Sequence, residues 1–199
     1  MTSKASQQHG IDFENTIHLA LHGTDKKDYE KLIEGGYTAE FDIVKGIKNI
    51  NFNGSVKVTS SNNVGCGSIE RMYKHTSGDE AVSFTMIIGY HEQVGNDKVY
   101  NTIYEVDIKP EHHNLLWSDI QLNTLTEYVN YVKSIPRGRE AQLQNQKLWK
   151  EKRQTIYENE GQGIMKIDTK IDGKAQRRTQ ASFNIKTLEE IVNLNLHDF

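Results

Sequence analysis

The feature that most restricts the fold of this chain is the way its apolar period changes along the sequence. Apolar residues recur at helical spacing over 11–22 (Ile11, Phe13, Ile17, Leu21) and 118–135 (Ile120, Leu125, Val129, Val132). They recur at every second position over 39–43 (Ala39, Phe41, Ile43) and 52–58 (Phe52, Val56, Val58). A 3.6-residue period buries one face of a helix, and a period of two buries one face of a strand. The spacing predicts helices over 11–22 and 26–33, the second stopped by Gly35-Gly36. Strands follow over 38–44 and 50–59, then a polar loop over 60–67 and a short helix over 68–74 capped by Ser68. Two further strands, 81–90 and 99–108, join at Gly95-Asn96-Asp97. Helices over 118–135 and 139–157 precede a hairpin, 164–171 and 176–185, turning at Asp172-Gly173. Thr187 and Glu190 form a capping-box pattern for a last helix. That succession implies a mixed α/β (α+β) fold, a central mixed sheet flanked by helices, within one domain over 1–199.

Several classes are excluded by what the chain lacks. No apolar run approaches 18 residues, so no transmembrane helix and no membrane partner is expected. The opening ten residues are polar and have no apolar core of the secretory type. Cys66 is the one cysteine, which excludes a disulfide framework and a cysteine-built zinc cage. The expected setting is intracellular and reducing, cytoplasmic in a prokaryote.

The constellation that carries chemistry runs from residue 40 to residue 70. Asp42 lies on one expected strand. Ser55-Val56-Lys57 lies on the next, with Ser55 and Lys57 on a common face. Pairing of those strands as a hairpin would bring Asp42 and Lys57 to one sheet edge. Glu70 follows Lys57 with twelve residues between, on the expected helix 68–74. This arrangement resembles the PD-(D/E)XK nuclease superfamily, whose motif is an acid on one strand and acid-X-Lys on the next. Here Ser55 stands at the second acid and Phe41 precedes the first. One group of restriction endonucleases in that superfamily also has Ser-X-Lys, with a Glu from the following helix filling the vacated place. Glu70 matches that migrated acid. The opening Gly10-Ile11-Asp12-Phe13-Glu14 is similar to the first helix of the superfamily, which makes Glu14 an accessory residue near the site.

The resemblance implies a restriction-endonuclease-like fold, with a catalytic core over about 8–110 and DNA-contacting basic helices and hairpin over about 118–199. It implies Mg²⁺ held by Asp42, Glu70 and the main-chain carbonyl of Val56. Hard cations prefer such oxygen donors, and a bound ion lowers the pKa of water and screens the phosphate. Lys57 would hold the attacking water and the growing negative charge, with Ser55 bonded to a metal water. The expected function is Mg²⁺-dependent hydrolysis of double-stranded DNA, as in a type II restriction endonuclease. A homodimer would match a two-fold site. The alternatives are a repair or recombination nuclease of the same fold and a non-catalytic DNA-binding protein.

The uneven distribution of charge fits either a basic face that meets phosphates or a solvated helix of mixed charge. Over 132–180 there are twelve Lys and Arg against six Asp and Glu, a surplus of +6, so the remainder carries −9 of the total −3. Candidate DNA contacts are Lys166, Lys170, Arg177 and Arg178 on the late hairpin, Ser61, Asn62 and Asn63 in the loop, and Arg71 beside Glu70. A charge-protected edge strand is the alternative for the hairpin. His112-His113-Asn114 lacks the second histidine-bearing helix of an HNH site and reads as loop polars. His18 and His22, four apart, have no third ligand in spacing and read as surface or core histidines.

Overall fold

The computed structural model describes residues 3–36, 39–95, 97–172, 176–189 and 195–198. The described residues form a mixed α/β structure with seven α-helices and seven strands. In chain order these are α1 (Ser3–His22), α2 (Lys26–Glu30), β1 (Asn53–Thr59), β2 (Asn63–Ser68), α3 (Ile69–Lys74), β3 (Phe84–Val94) and β4 (Asp97–Ile108). There follow α4 (His113–Trp117), α5 (Leu122–Ser134), α6 (Arg139–Glu160), β5 (Lys166–Ile171), β6 (Arg177–Asn184), α7 (Ile185–Glu189) and β7 (Asn195–Asp198). The chain divides into two compact units, each discontinuous in sequence. No described helix is long and apolar enough to cross a membrane.

The first unit comprises Met1–Val64, Ser83–Ile108 and Glu189–Phe199. Its sheet has the order β1-β3-β4-β7. β1 runs parallel to β3, with Val56 opposite Ile87, while β3, β4 and β7 are antiparallel. The apolar stripe of α1 meets the sheet where the helical period placed it: Phe13 and Ile17 pack with Ile43, Val56 and Ile87. Gly89 admits the Phe13 ring, since a Cβ there would come within 2.5 Å of it. That ring stacks on Tyr100 at 4.8 Å. α1 ends at Gly23, whose φ of +65° favours glycine. Asp25 opens α2 by accepting from Asp28 N at 2.8 Å. α2 stops at Glu30, short of the expected 33.

The expected strand over 38–44 does not form. Thr38 lies outside the described residues, and what remains is a single antiparallel bridge between Ile43 and Gly54. The alternation was still informative, because Phe41 and Ile43 are buried while Glu40 is exposed. Only the ladder is missing, for a reason found at Asp42 below.

The second unit comprises Gly65–Val82 and Lys109–Leu188. Its sheet has the order β2-β6-β5. β5 and β6 form the expected antiparallel hairpin, from Lys166 opposite Ser182 to Ile171 opposite Arg177. Gly173 of the expected turn lies outside the described residues, as does Asn96 of the earlier one. α5 buries Leu125, Val129 and Val132 and packs against α3 and β6. α6 covers the β5 main chain with polar side chains. Arg153 Nη1 donates to Ile167 O (3.2 Å), Ile167 N donates to Tyr157 Oη (2.7 Å) and Gln142 Nε2 donates to Ile171 O (2.8 Å). These bonds cover the main chain of the β5 edge at Ile167 and Ile171.

Three expectations are corrected here. The stretch 63–68 is strand β2 instead of loop. Helix 118–135 begins only at Leu122, because Ser118, at φ +57°, closes the unexpected helix α4. Glu160 then bonds the first turn of α5, accepting from Gln121 N at 2.8 Å and Thr124 Oγ1 at 2.7 Å. The last helix starts at Ile185, with Asn184 Oδ1 accepting from Lys186 N at 3.0 Å. Thr187 therefore lies inside it, and Glu190 lies outside the described residues.

Candidate functional site

The site in the first unit is built by the bridge that replaces the missing strand. Ile43 N donates to Gly54 O at 3.0 Å, and Gly54 N returns the bond to Ile43 O at 2.8 Å. Gly46, at φ +89°, lets the chain reverse between them, and Asn53 Oδ1 accepts from Lys45 N at 3.0 Å. Tyr29, fully buried, accepts from Val44 N through its hydroxyl at 2.8 Å. Gly54 is required, since a Cβ would lie 2.9 Å from Ile43 Cδ1 and 3.0 Å from Ile43 Cβ.

Asp42 is thereby held against β1. Its Oδ2 accepts from Val56 N at 2.7 Å, Lys57 Nζ at 3.3 Å and Ser55 Oγ at 3.4 Å. Lys57 Nζ also donates to Val56 O at 2.9 Å. The acidic side chain thus takes the Val56 amide that a continuing strand would have paired with a carbonyl. That substitution ends the ladder after one bridge. Asp42 and Lys57 are 32% and 23% exposed, so the pair is open to a ligand from solvent.

The structure brings together Asp42, Ser55, Val56 and Lys57. Glu14 is tied to other partners, with Lys26 Nζ 2.6 Å from Oε2 and His18 Nε2 3.9 Å from Oε1. Glu70, half-buried in the first turn of α3, and the exposed Arg71 belong to the second unit. Ser68 caps that helix as expected, accepting from Arg71 N at 3.5 Å. Among the described residues no three His, Cys, Asp or Glu side chains gather in a metal-holding group. The donors at Asp42 are one carboxylate and one main-chain carbonyl. Such a set suits Mg²⁺, which keeps several waters and takes few protein ligands.

The expected DNA contacts have varied surroundings. Ser61, Asn62 and Asn63 are exposed on a tight turn held by Thr59, whose hydroxyl lies in hydrogen-bond reach of two acceptors, Ser61 O (2.9 Å) and Asn63 O (2.8 Å). Lys166 and Arg178 are exposed. Lys170 Nζ pairs with Asp168 at 2.7 Å. Arg177 differs from the reading given to it. Its guanidinium donates to Ile135 O (3.0 Å), Asp172 O (2.8 Å), Gln176 O (2.8 Å) and Pro136 O. Those carbonyls occupy Nε, Nη1 and Nη2, and two of them lie at the end of α5.

His112, His113, His18 and His22 pack within the fold. His112 Nδ1 accepts from Lys109 N at 3.4 Å, and His113 packs edge-on against Tyr73. Burial lowers the pKa of His113. His18 and His22 are buried against Tyr29, His18 tilted to its ring at a centroid distance of 4.5 Å and His22 stacked on it at 4.3 Å. Neither ring nitrogen of His22 has a partner among the described residues. Its pKa is lowered by burial, then by His18 and Lys48. This aromatic cluster under the Asp42 segment was not anticipated. Its one sequence signal is the four-residue spacing of the two histidines on α1.

Comparison with protein families, with curated proteins and with solved structures finds no match for this chain.

Proposed function

We propose that the protein is a Mg²⁺-dependent endonuclease acting on double-stranded DNA, of the PD-(D/E)XK type with Ser-X-Lys. The observation that carries this reading is the convergence of Asp42, the Val56 main chain and Lys57 at one end of the Ile43–Gly54 bridge. Asp42 and the Val56 carbonyl would hold the ion. When bound, the metal supplies charge neutralisation at the phosphate and a more acidic water. Lys57 contributes an ammonium whose N–H groups orient the attacking water and share the charge growing on the phosphate. Ser55 Oγ adds a neutral hydrogen-bonding group on the same strand face. On the resemblance alone, Glu70 supplies a second carboxylate. A homodimer, a restriction-type role and a cytoplasmic setting complete the proposal. The restriction-endonuclease-like architecture of the sheet belongs to it as well.

Incubation of supercoiled plasmid with the protein and Mg²⁺ tests the reading. Discrete fragments are expected, with none when EDTA is present or when Asp42→Asn replaces the wild type. Unchanged cutting by folded Asp42→Asn would sink the assignment. The contact of Lys57 Nζ with Asp42 Oδ2 at 3.3 Å favours a second reading, a non-catalytic DNA-binding protein in which Asp42–Lys57 is an ordinary ion pair. A shift of DNA in a gel with no cleavage at any Mg²⁺ concentration would select it.

A further inference from the structure

Lys57 Nζ donates to the two oxygens that the proposed metal would use, Asp42 Oδ2 at 3.3 Å and Val56 O at 2.9 Å. Among the described residues no other side-chain cation pairs with Asp42. We infer that Lys57 is the resident cation of this site, so that metal loading and the Lys57 contacts are mutually exclusive. The inference rests on the nuclease reading and adds a control step to it.

The physical basis is competition for the same space by two positive charges. Mg–O distances are about 2.0–2.1 Å, so an ion bound to both oxygens takes the space between them that the ammonium fills. Like charges so close also repel strongly at a half-buried position. Val56 N keeps its bond to Asp42 Oδ2 at 2.7 Å, which anchors the carboxylate while the lysine leaves. Lys57 has a flexible four-carbon stem. Once displaced it is free to meet the water or the phosphate, the role the nuclease reading assigns to it. At low metal the site therefore stays closed by its own side chain, and loading releases the group that the reaction needs.

Two measurements on the full chain without DNA test this. In the first, Mn²⁺ binding is followed by isothermal titration calorimetry for wild type, Lys57→Met and Asp42→Asn. Removing the ammonium should tighten Mn²⁺ binding by roughly tenfold or more, and Asp42→Asn should abolish it. Equal or weaker binding by Lys57→Met, with binding still dependent on Asp42, would overturn the inference and leave the nuclease reading standing. No Mn²⁺ binding by wild type or Lys57→Met would overturn both. The second measurement needs no variant. Wild-type protein is acetylated briefly with and without Mn²⁺, and labelling at Lys57 is read by mass spectrometry against the exposed Lys45. Lys57 labelling should rise several-fold with metal while Lys45 stays constant. An unchanged Lys57 would overturn the inference even if Lys57→Met fails to fold.

Discussion

Asp42 has a structural duty as well as the proposed chemical one, and its variants should separate the two. Its Oδ2 is the acceptor for the Val56 amide. Asp42→Ala removes that acceptor and should cost about 1–2 kcal/mol. Asp42→Asn retains one acceptor oxygen for that amide while it removes the charge and replaces the other oxygen with an NH2 group. In urea titrations the alanine variant should therefore unfold at clearly lower denaturant than the asparagine variant, while both lack cleavage. Equal midpoints would mean that water replaces Asp42 at Val56. A second prediction concerns His22, whose pKa is lowered in the folded unit by burial beside Tyr29, by His18 and by Lys48. As pH falls below the unfolded value of about 6.5, the unfolded chain takes up a proton that the folded one resists. Stability should thus fall as pH drops from about 6.5, until the lower folded pKa has been passed. His22→Phe keeps a ring on Tyr29 and has no proton to bind. Its loss of stability between pH 7.5 and 5.5 should be smaller than that of the wild type, and identical losses would exonerate His22.

At the scale of elements, Arg177 and Arg178 are neighbours in sequence with different work. Arg177 ties β6 to the carbonyls of Ile135 and Pro136 at the end of α5. Both carbonyls follow the last helical residue, Ser134, where the chain has turned extended, so a guanidinium bonded to them fixes the exit of α5 against β6. Arg177→Ala should cost about 1.5–3 kcal/mol, since its bonds are charge-assisted. Arg178 is exposed, and Arg178→Ala should change stability by less than about 0.5 kcal/mol. Thermal melts of the two variants check this, and similar melting temperatures would mean that the Arg177 contacts add no stability. The spacing of charges could not distinguish the two arginines, because the distinction depends on α5, about forty residues away in sequence. The same limit explains β2. Asn63, Gly65 and Gly67 are poor strand formers, and the strand exists through β6, more than a hundred residues later. Where the signals were local the elements were legible: α3 from its Ser68 cap, α1 from its stripe and Gly23, and the β5–β6 hairpin from its alternation. The Asp42, Ser55 and Lys57 convergence was legible too, because the bridge at Ile43 and the two-residue period of β1 are short-range facts. The loss of the strand around Asp42 was not legible, since a side chain competed with the ladder for the Val56 amide.

At the scale of the whole molecule, the two compact units differ in charge. The first carries eight Lys and Arg against fifteen Asp and Glu, a net −7, and the second sixteen against twelve, a net +4. The Asp42 site therefore belongs to the unit that repels a polyanion, and the proposed grip on DNA falls to the second. Lys150 on α6, Lys166 on β5 and Arg178 on β6 are exposed there. Each phosphate neutralised contributes about 0.9 to the slope of log binding constant against log salt. The triple change Lys150→Gln, Lys166→Gln and Arg178→Gln should lower that slope by up to about 2.7. A matched triple in the first unit, Lys27→Gln, Lys31→Gln and Lys45→Gln, removes the same charge from exposed positions and should leave the slope unchanged. Fluorescence anisotropy with a short duplex, measured from low to moderate salt, gives both slopes. The control matters because a general loss of charge weakens any association with a polyanion, whereas counterion release falls only where phosphates are contacted. Equal slopes in both triples would mean that net charge alone steers DNA to this protein. A slope lost only in the first-unit triple would place the phosphate contacts on the unit that holds Asp42 and Lys57, and the basic helices and hairpin would cease to be the binding face.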